Sequence, residues 1–239
     1  MVSLQTALGA ACAVVSALML AACQHVPAPT PPSPVSPRWT DGWQPFVLPG
    51  KTATVYAAAN DEGRWVLHAK SDHSARMYRR ALRIEPEQLG QVSFSWKVPS
   101  LLSDADVRES ETGDAVVRVM LAFDGDPNRL SARTRLMFDL MQSLSGEPPP
   151  FATLMYVWDS RAEVDSVVLN KRSDRIRKIV LESGPTHLGQ WRSYQRDVRA
   201  DYRRAFGEDP GALIGVAVMT DSDNTKSRAE AWYGEIRFQ

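Results

Sequence analysis

Residues 151–158 read FATLMYVW and residues 116–123 read VVRVMLAF, and these two stretches decide the fold class. In the second stretch the apolar side chains from Val117 to Phe123 alternate onto one face, which is typical of a strand with one buried side. The first stretch is apolar on both faces. It therefore predicts a central strand that is covered above and below.

Further short runs with strand-like patterns lie on both sides of these two, separated by turn residues. They are Ala53–Ala59, Trp65–Lys70, Tyr78–Ile84, Gln91–Val98, Ile176–Leu181, Leu213–Thr220 and Glu230–Phe238. Only two segments read as helices, Leu130–Leu144 and Asp197–Phe206. In the first helix the apolar residues Leu136, Met137, Leu140, Met141 and Leu144 share one stripe. Many short strands with one or two short helices predict a mostly all-β fold, an antiparallel β-sandwich.

The N-terminal 22 residues carry no charged side chain, and residues 7–22 read ALGAACAVVSALMLAA. This run is shorter than the ~20 apolar residues of a spanning helix and has the length of a signal-peptide core. It ends in Leu20-Ala21-Ala22-Cys23, which resembles the bacterial lipobox. The resemblance implies cleavage before Cys23 and a lipid anchor on that residue. Gln24 in place of Asp implies the periplasmic face of the outer membrane. An uncleaved apolar anchor helix is the alternative, since the first residues lack Lys and Arg.

Residues 24–38 read QHVPAPTPPSPVSPR, with six prolines, and this composition predicts an extended spacer. The predicted organisation is therefore a signal peptide over residues 1–22, a lipidated Cys and Pro-rich linker over 23–38, and one domain over 39–239. The chain has two cysteines, Cys12 and Cys23. The mature domain would thus contain no thiol, which excludes thiol catalysis and structural disulfides.

Charge is balanced over the whole chain but not locally. The 28 Lys and Arg residues equal the 28 Asp and Glu residues, so we expect no nucleic-acid partner. Residues 101–126 hold two basic and seven acidic residues, a net charge of −5, whereas residues 161–204 hold eleven basic and six acidic residues, a net +5. These segments predict either solvated faces that can oppose each other, or a basic surface for an anionic envelope polymer.

Motifs for nucleophilic catalysis, zinc binding and phosphate binding are absent from the sequence, so we predict no catalytic residue. Two loops read D-x-D, Asp124–Asn128 and Asp221–Thr225, and oxygen ligands at alternate positions could hold Ca²⁺. Both lack the Gly and Glu of an EF-hand loop, and Asx turns account for the same residues. No cofactor is therefore predicted, and Ca²⁺ at Asp221 and Asp223 is the alternative.

A set of stretches along the chain resembles a bacterial family known as domain of unknown function 3047. They include LHAKS (67–71), SARMYR (74–79), FSWKV (94–98), TLMYVW (153–158), DYRRAFG (201–207), MTDSDNT (219–225) and AWYGEI (231–236). The resemblance covers about residues 39–239. It implies an exported β-sandwich of jelly-roll or galactose-binding-like kind, and no established activity.

These observations lead to a non-catalytic, membrane-anchored binding module for an envelope glycan, a protein or another envelope component. Its candidate ligand-binding residues are Asp114, Arg118, Trp158, Asp221, Asp223, Asn224 and Thr225. Arg118 is a charge in an apolar strand, so it needs a carboxylate partner or a ligand anion. The alternatives are a carboxylate-dependent hydrolase of cell-wall polysaccharide and a structural assembly subunit.

Overall fold

Alternating apolar residues place one face of each of two β-sheets against the other, and the main core lies between them. The computed structural model describes Trp39 and residues 41–239. The predictions of a signal peptide, a lipidated Cys23 and a linker fall outside these residues. Among the described residues, no helix combines the length and the apolar character needed to cross a membrane.

The described chain contains thirteen strands and two α-helices. The strands are β1 (Trp43–Phe46), β2 (Val55–Asp61), β3 (Arg64–Asp72), β4 (Ala75–Ile84), β5 (Gln91–Lys97), β6 (Arg118–Phe123), β7 (Ala152–Asp159), β8 (Val167–Leu169), β9 (Ile176–Ser183), β10 (Arg192–Asp197), β11 (Leu213–Asp221), β12 (Arg228–Tyr233) and β13 (Arg237–Phe238). The helices are α1 (Ala132–Ser145) and α2 (Val198–Phe206).

Seven strands form the first sheet in the order β1-β4-β11-β6-β7-β9-β8. The second sheet has the order β10-β5-β12-β3-β2, and β13 also pairs with β5. All pairs are antiparallel except β7 with β9, which is parallel. The fold is therefore a mostly β, antiparallel sandwich with two helices, as the sequence predicts.

The central strand β7 is covered on both faces, which confirms the prediction made from its sequence. All eight of its residues are buried. Leu154 and Tyr156 belong to the main core, whereas Met155 and Val157 point to the opposite face and join a second apolar cluster with Val107. The second cluster places the loop of residues 101–117 against the outer face of the first sheet.

Each predicted strand has a counterpart in the structure. However, one predicted strand is split in two, and three observed strands were not predicted. The predicted strand Glu230–Phe238 is two strands, β12 and β13, separated by residues 234–236. Gly234 between them lies so close to β5 that a Cβ would fall 2.2 Å from Ser95 Oγ. The sequence analysis missed β1, β8 and β10. Their polar or very short sequences, such as RSYQRD in β10, carry no apolar alternation.

Both helices begin and end close to the predicted positions. Ser131 caps α1 by accepting a hydrogen bond from the Thr134 amide, and Gly146 ends it with a positive φ of 78°. The predicted apolar stripe of α1 faces solvent. Its exposed fractions are 72% at Leu136, 58% at Leu140, 37% at Met141 and 58% at Leu144.

The described residues form one compact unit. Its two apolar clusters draw all their members from Trp39 to Phe238. The domain therefore carries its own core, and we expect it to fold without the preceding residues.

Candidate functional site

Strand order brings the seven candidate ligand-binding residues to one end of the first sheet, where Trp158 faces the core. Arg118 begins β6 and pairs in register with Met219, two residues before Asp221 ends β11. The loop after β11 carries Asp223, Asn224 and Thr225 over the same end. Asp114 lies just before β6 and meets this loop, because its Oδ2 accepts hydrogen bonds from Thr225.

Three protein groups contact the guanidinium of Arg118. Its guanidinium forms an ion pair of 2.9 Å with Asp221 Oδ2, and donates to the Gly113 carbonyl and to the Met219 sulfur. The carboxylate partner is thus Asp221 rather than Asp114. The Nε of Arg118 is buried and has no hydrogen-bond partner among the described residues.

Asp221 is a buried carboxyl whose ionisation is opposed by its surroundings. Burial is the main cause that raises its pKa to about 6, and the negative charge of Asp114 acts in the same direction. The charge of Arg118 and a hydrogen bond from the Ala115 amide oppose this rise. The carboxyl is therefore close to its midpoint at a mildly acidic pH.

Three carboxylates converge behind this ion pair. One oxygen from each of Asp114, Asp221 and Asp223 lies within 4.8 Å of the others. Oxygen ligands of this kind suit Ca²⁺. However, Arg118 pairs with Asp221 and the Lys51 ammonium pairs with Asp223, so much of this negative charge is already balanced.

Lys178 is a site residue that the sequence analysis missed. It lies on β9, 5% exposed, and its ammonium donates to the Val107 carbonyl at 2.5 Å. It forms no ion pair with any carboxylate in the described part of the chain. Burial lowers its pKa to about 8, and the positive charge of Arg118 contributes to the same shift.

A cleft of about 200 Å³ on the outer face of the first sheet is lined by Arg118, Lys178, Asp221, Asp223 and Asn224. Asp114 and Thr225, although predicted as ligand-binding residues, do not line it. Its floor contains Met155 and Met219 beside the buried cations. Six cationic side chains line the cleft against three acidic ones. The cations are Lys51, Arg108, Arg118, Lys171, Arg172 and Lys178, and the acids are Glu109, Asp221 and Asp223.

The rim of the cleft forms where the acidic and basic segments meet. Lys171 pairs with Glu109 at 2.5 Å, and Arg172 pairs with Glu111 at 3.2 Å. Asp159, at the end of β7, accepts a hydrogen bond of 2.9 Å from the Val107 amide and so fixes the acidic loop. The predicted opposition of the two charged segments therefore occurs along this rim.

The prediction of Trp158 as a ligand-binding residue is wrong. Its side chain is 1% exposed and belongs to the main core, where its Nε1 donates to the Gly184 carbonyl at 3.1 Å. Trp158 continues the alternation of Leu154 and Tyr156 along β7, so its ring points between the sheets and cannot stack on a ligand.

The first D-x-D loop lies away from the cleft and is explained by turn chemistry. Asp126 Oδ1 accepts a hydrogen bond of 2.9 Å from the Asn128 amide, and Asp124 Oδ1 accepts one from Gly125. These are the Asx contacts that the sequence offers as an alternative to a cation.

The fold and the cleft define a β-sandwich protein with a buried cationic pair on the outer face of one sheet. The chain belongs to the family described as "Protein of unknown function (DUF3047)", whose model matches residues 41–237. No curated protein sequence gives a significant match to this chain.

Several solved structures are distantly similar. The family 11 carbohydrate-binding module from Clostridium thermocellum, in complex with a β-1,3-1,4-mixed-linked tetrasaccharide, is 9% identical over 82% of this chain and 88% of that chain, with a TM-score of 0.41. A cellulase derived from that of Rhodothermus marinus is 12% identical over 82% and 96% of the two chains, with a TM-score of 0.41. The xyloglucanase domain of a Sinorhizobium fredii effector, in complex with cellobiose, is 9% identical over 83% and 95%, again with a TM-score of 0.41. Similarity at this level says nothing of what this chain binds.

Proposed function

We propose that this protein is a non-catalytic binding module of the cell envelope, and that its cleft takes the anionic group of a glycan. The observation that carries the proposal is Lys178, a buried ammonium in the cleft with a backbone carbonyl as its described hydrogen-bond partner. A buried charge is costly unless it is paired, and a carboxylate or phosphate of a ligand would pair it.

Arg118 supports the same proposal from the neighbouring side of the cleft. Its Nε–H is buried without a partner among the described residues, so it can still donate one hydrogen bond. Charge-assisted hydrogen bonds are about twice as strong as neutral ones. Sugar acids, with a carboxylate attached to a hydroxylated ring, fit this combination of two cations and the polar rim residues Ser110, Asn170 and Asn224.

Isothermal titration of residues 36–239 with an oligogalacturonate and with its methyl ester tests the proposal. We expect the acid to bind at least about tenfold more tightly than the ester, because the ester removes the charge that Lys178 would pair. Lys178→Gln should abolish this preference. Lys70→Gln, whose ammonium is 65% exposed on β3, is the matched control and should bind like the unchanged domain. Equal binding of acid and ester, or no effect of Lys178→Gln, would contradict the proposal.

The hydrolase alternative has one observation in its favour, the convergence of three carboxylates with a raised pKa at Asp221. A carboxylic acid that keeps its proton near neutral pH is what a glycosidase needs as its general acid. However, Asp114 and Asp221 are 1% and 3% exposed, and the cleft lining contains no aromatic residue. Release of reducing ends from the oligogalacturonate, lost in Asp221→Asn, would establish this alternative.

We propose that Cys23 carries the lipid that anchors the protein, on the periplasmic face of the outer membrane. The support is the lipobox-like sequence Leu20-Ala21-Ala22-Cys23 after an apolar run. Metabolic labelling with a palmitate analogue should mark the full chain and should fail in Cys23→Ala. Equal labelling of both proteins would contradict this anchor.

A further inference from the structure

We infer that helix α1 lies on the membrane surface and turns the cleft away from it. This inference rests on the proposed envelope anchor for its setting in the cell. Its physical basis is separate, because it depends on the exposed face of α1 and on the place of α1 in the fold.

The apolar face of α1 has no partner in the described part of the chain. Successive residues of an α-helix are 100° apart, so Leu136, Leu140 and Leu144 fall within one arc, and Met141 lies beside them. These four side chains are 37–72% exposed. The helix rests on the domain by its other side, where Thr134 is buried and Phe138 packs against the main core.

The charges on α1 favour a lipid surface as the occupant. Arg133 and Arg135 lie in the first turn, exposed, and Asp139 is the acidic residue of the helix, so its net charge is 2 − 1 = +1. Neither arginine forms an ion pair within the described residues. Arg133 lies one turn before Leu136 on the same face and so places a cation at the end of the apolar stripe, whereas Arg135 donates to the Leu130 carbonyl at 3.1 Å. A basic side chain beside an apolar stripe is typical of helices that lie in the membrane interface, where it reaches the phosphates.

A second copy of the chain is a less suitable occupant. A standard protein interface buries about 800 Å² on each partner, which is more than four partly exposed side chains supply. A bilayer is a more suitable occupant, because the partition of an interfacial helix increases with its buried apolar area and with attraction to anionic lipids, and it needs no matching protein surface.

The topology relates α1 to both the tether and the cleft. The helix connects the end of β6 to the start of β7, where Phe123 pairs with Ala152. Arg118 begins β6 at the opposite end, roughly 17 Å away at the rise of a β-strand. Strand β1 starts beside Arg80, in the half of the sheet nearer α1, and runs toward the cleft. The chain thus enters from the side of α1, and the cleft opens at the other side.

Single-cysteine labelling gives a direct test, because both native cysteines precede residue 36. Leu140→Cys in residues 36–239 would carry an environment-sensitive fluorophore. Val55→Cys is the matched control, since Val55 is 61% exposed and lies near the cleft end of the domain. With vesicles of phosphatidylethanolamine and phosphatidylglycerol, we expect the label at residue 140 to gain intensity and shift to shorter wavelength, and the label at residue 55 to stay unchanged.

Vesicle flotation of the unlabelled domain completes the test. Leu136→Ser/Leu140→Ser should lower the partition coefficient by about tenfold, whereas Val55→Ser should not change it. No response of the label at residue 140, or equal responses at both positions, would overturn the inference. A response that depends on protein concentration without vesicles would also overturn it, in favour of a second copy. Since this domain lacks Cys23, a failure of the proposed anchor cannot alter any of these results.

Discussion

Arg118 and Asp221 form an ion pair of 2.9 Å across neighbouring strands, with 8% and 4% of their side chains exposed. Burial removes most of the water from both charges, so each depends on the other for compensation. Both residues of the pair line the cleft, and the Nε of Arg118 is left without a hydrogen-bond partner among the described residues.

Removal of Arg118 should destabilise the domain strongly. Arg118→Ala leaves the Asp221 carboxylate buried without its cation, and breaking a buried pair in this way costs about 3–5 kcal/mol. Urea unfolding at pH 7 measures this loss. The double variant Arg118→Met/Asp221→Leu should recover most of the stability, because it removes both charges. A single variant as stable as the unchanged domain would show that the pair does not support the fold.

The Asp221 carboxyl should titrate with a midpoint near pH 6. Its folded pKa of about 6 exceeds the ordinary value of 3.8, so the folded state binds the proton more tightly than the unfolded state. Its contribution to the free energy of unfolding is therefore largest below about pH 4 and falls as the pH rises to about 6. Carbon-13 NMR of the carboxyl groups measures the midpoint directly, with Asp106, whose pKa is lowered to about 2 by Arg108, as the internal reference. A midpoint below pH 4 for Asp221 would contradict this account.

Anion binding should weaken above about pH 8. The pKa of Lys178 is lowered to about 8, so its ammonium loses its proton above this pH, and an anion in the cleft would raise the pKa again. Titration of an oligogalacturonate, whose carboxylates stay ionised over this range, should show affinity falling by up to tenfold for each further pH unit. Lys178→Arg, which stays charged, should remove this decline. The same decline in Lys178→Arg would place the titrating group elsewhere.

Asp159 should be essential for holding the loop of residues 101–117 in place at the rim of the cleft. Its carboxylate is 2% exposed and accepts hydrogen bonds from the amides of Val107, Arg161 and Ala162. Asp159→Ala leaves these donors unpaired and should cost about 2–4 kcal/mol. Limited proteolysis should then cut within residues 101–117 while the rest of the domain stays intact. Asp126→Ala removes a comparable Asx contact on an exposed loop and should leave that segment protected.

The strand pattern predicts most of the sandwich, because apolar alternation records which face of a strand is buried. It fails for β10, where packing by Tyr194 alone gives no periodic signal. The α1 sequence predicts a helix with an apolar stripe. The α1 sequence does not show whether this stripe faces solvent or the core, since the same pattern fits a helix packed on a core.

In the candidate site too, the sequence shows single unusual residues within a strand but not the contacts between strands that are far apart in the chain. Arg118 is visible as a charge within an apolar strand, and Lys178 in the stretch Ile176-Arg177-Lys178-Ile179-Val180 carries a similar but weaker signal, because Arg177 stands beside it. The ion pair with Asp221 depends on the adjacency of β6 and β11, which are far apart in the chain. Trp158 lies two and four residues after the core residues Tyr156 and Leu154, so strand alternation alone predicts that it faces the core rather than a ligand.

Methyl NMR of the methionines is the most direct test of the claim that the cleft binds an anionic glycan. Met155 and Met219 line the cleft, whereas Met141 lies on α1 at 37% exposure. We predict that an oligogalacturonate shifts the methyl resonances of Met155 and Met219, leaves Met141 unchanged, and has no effect in Lys178→Gln. Shifts confined to other methionines, or unchanged Met155 and Met219 resonances at saturating ligand, would contradict the account.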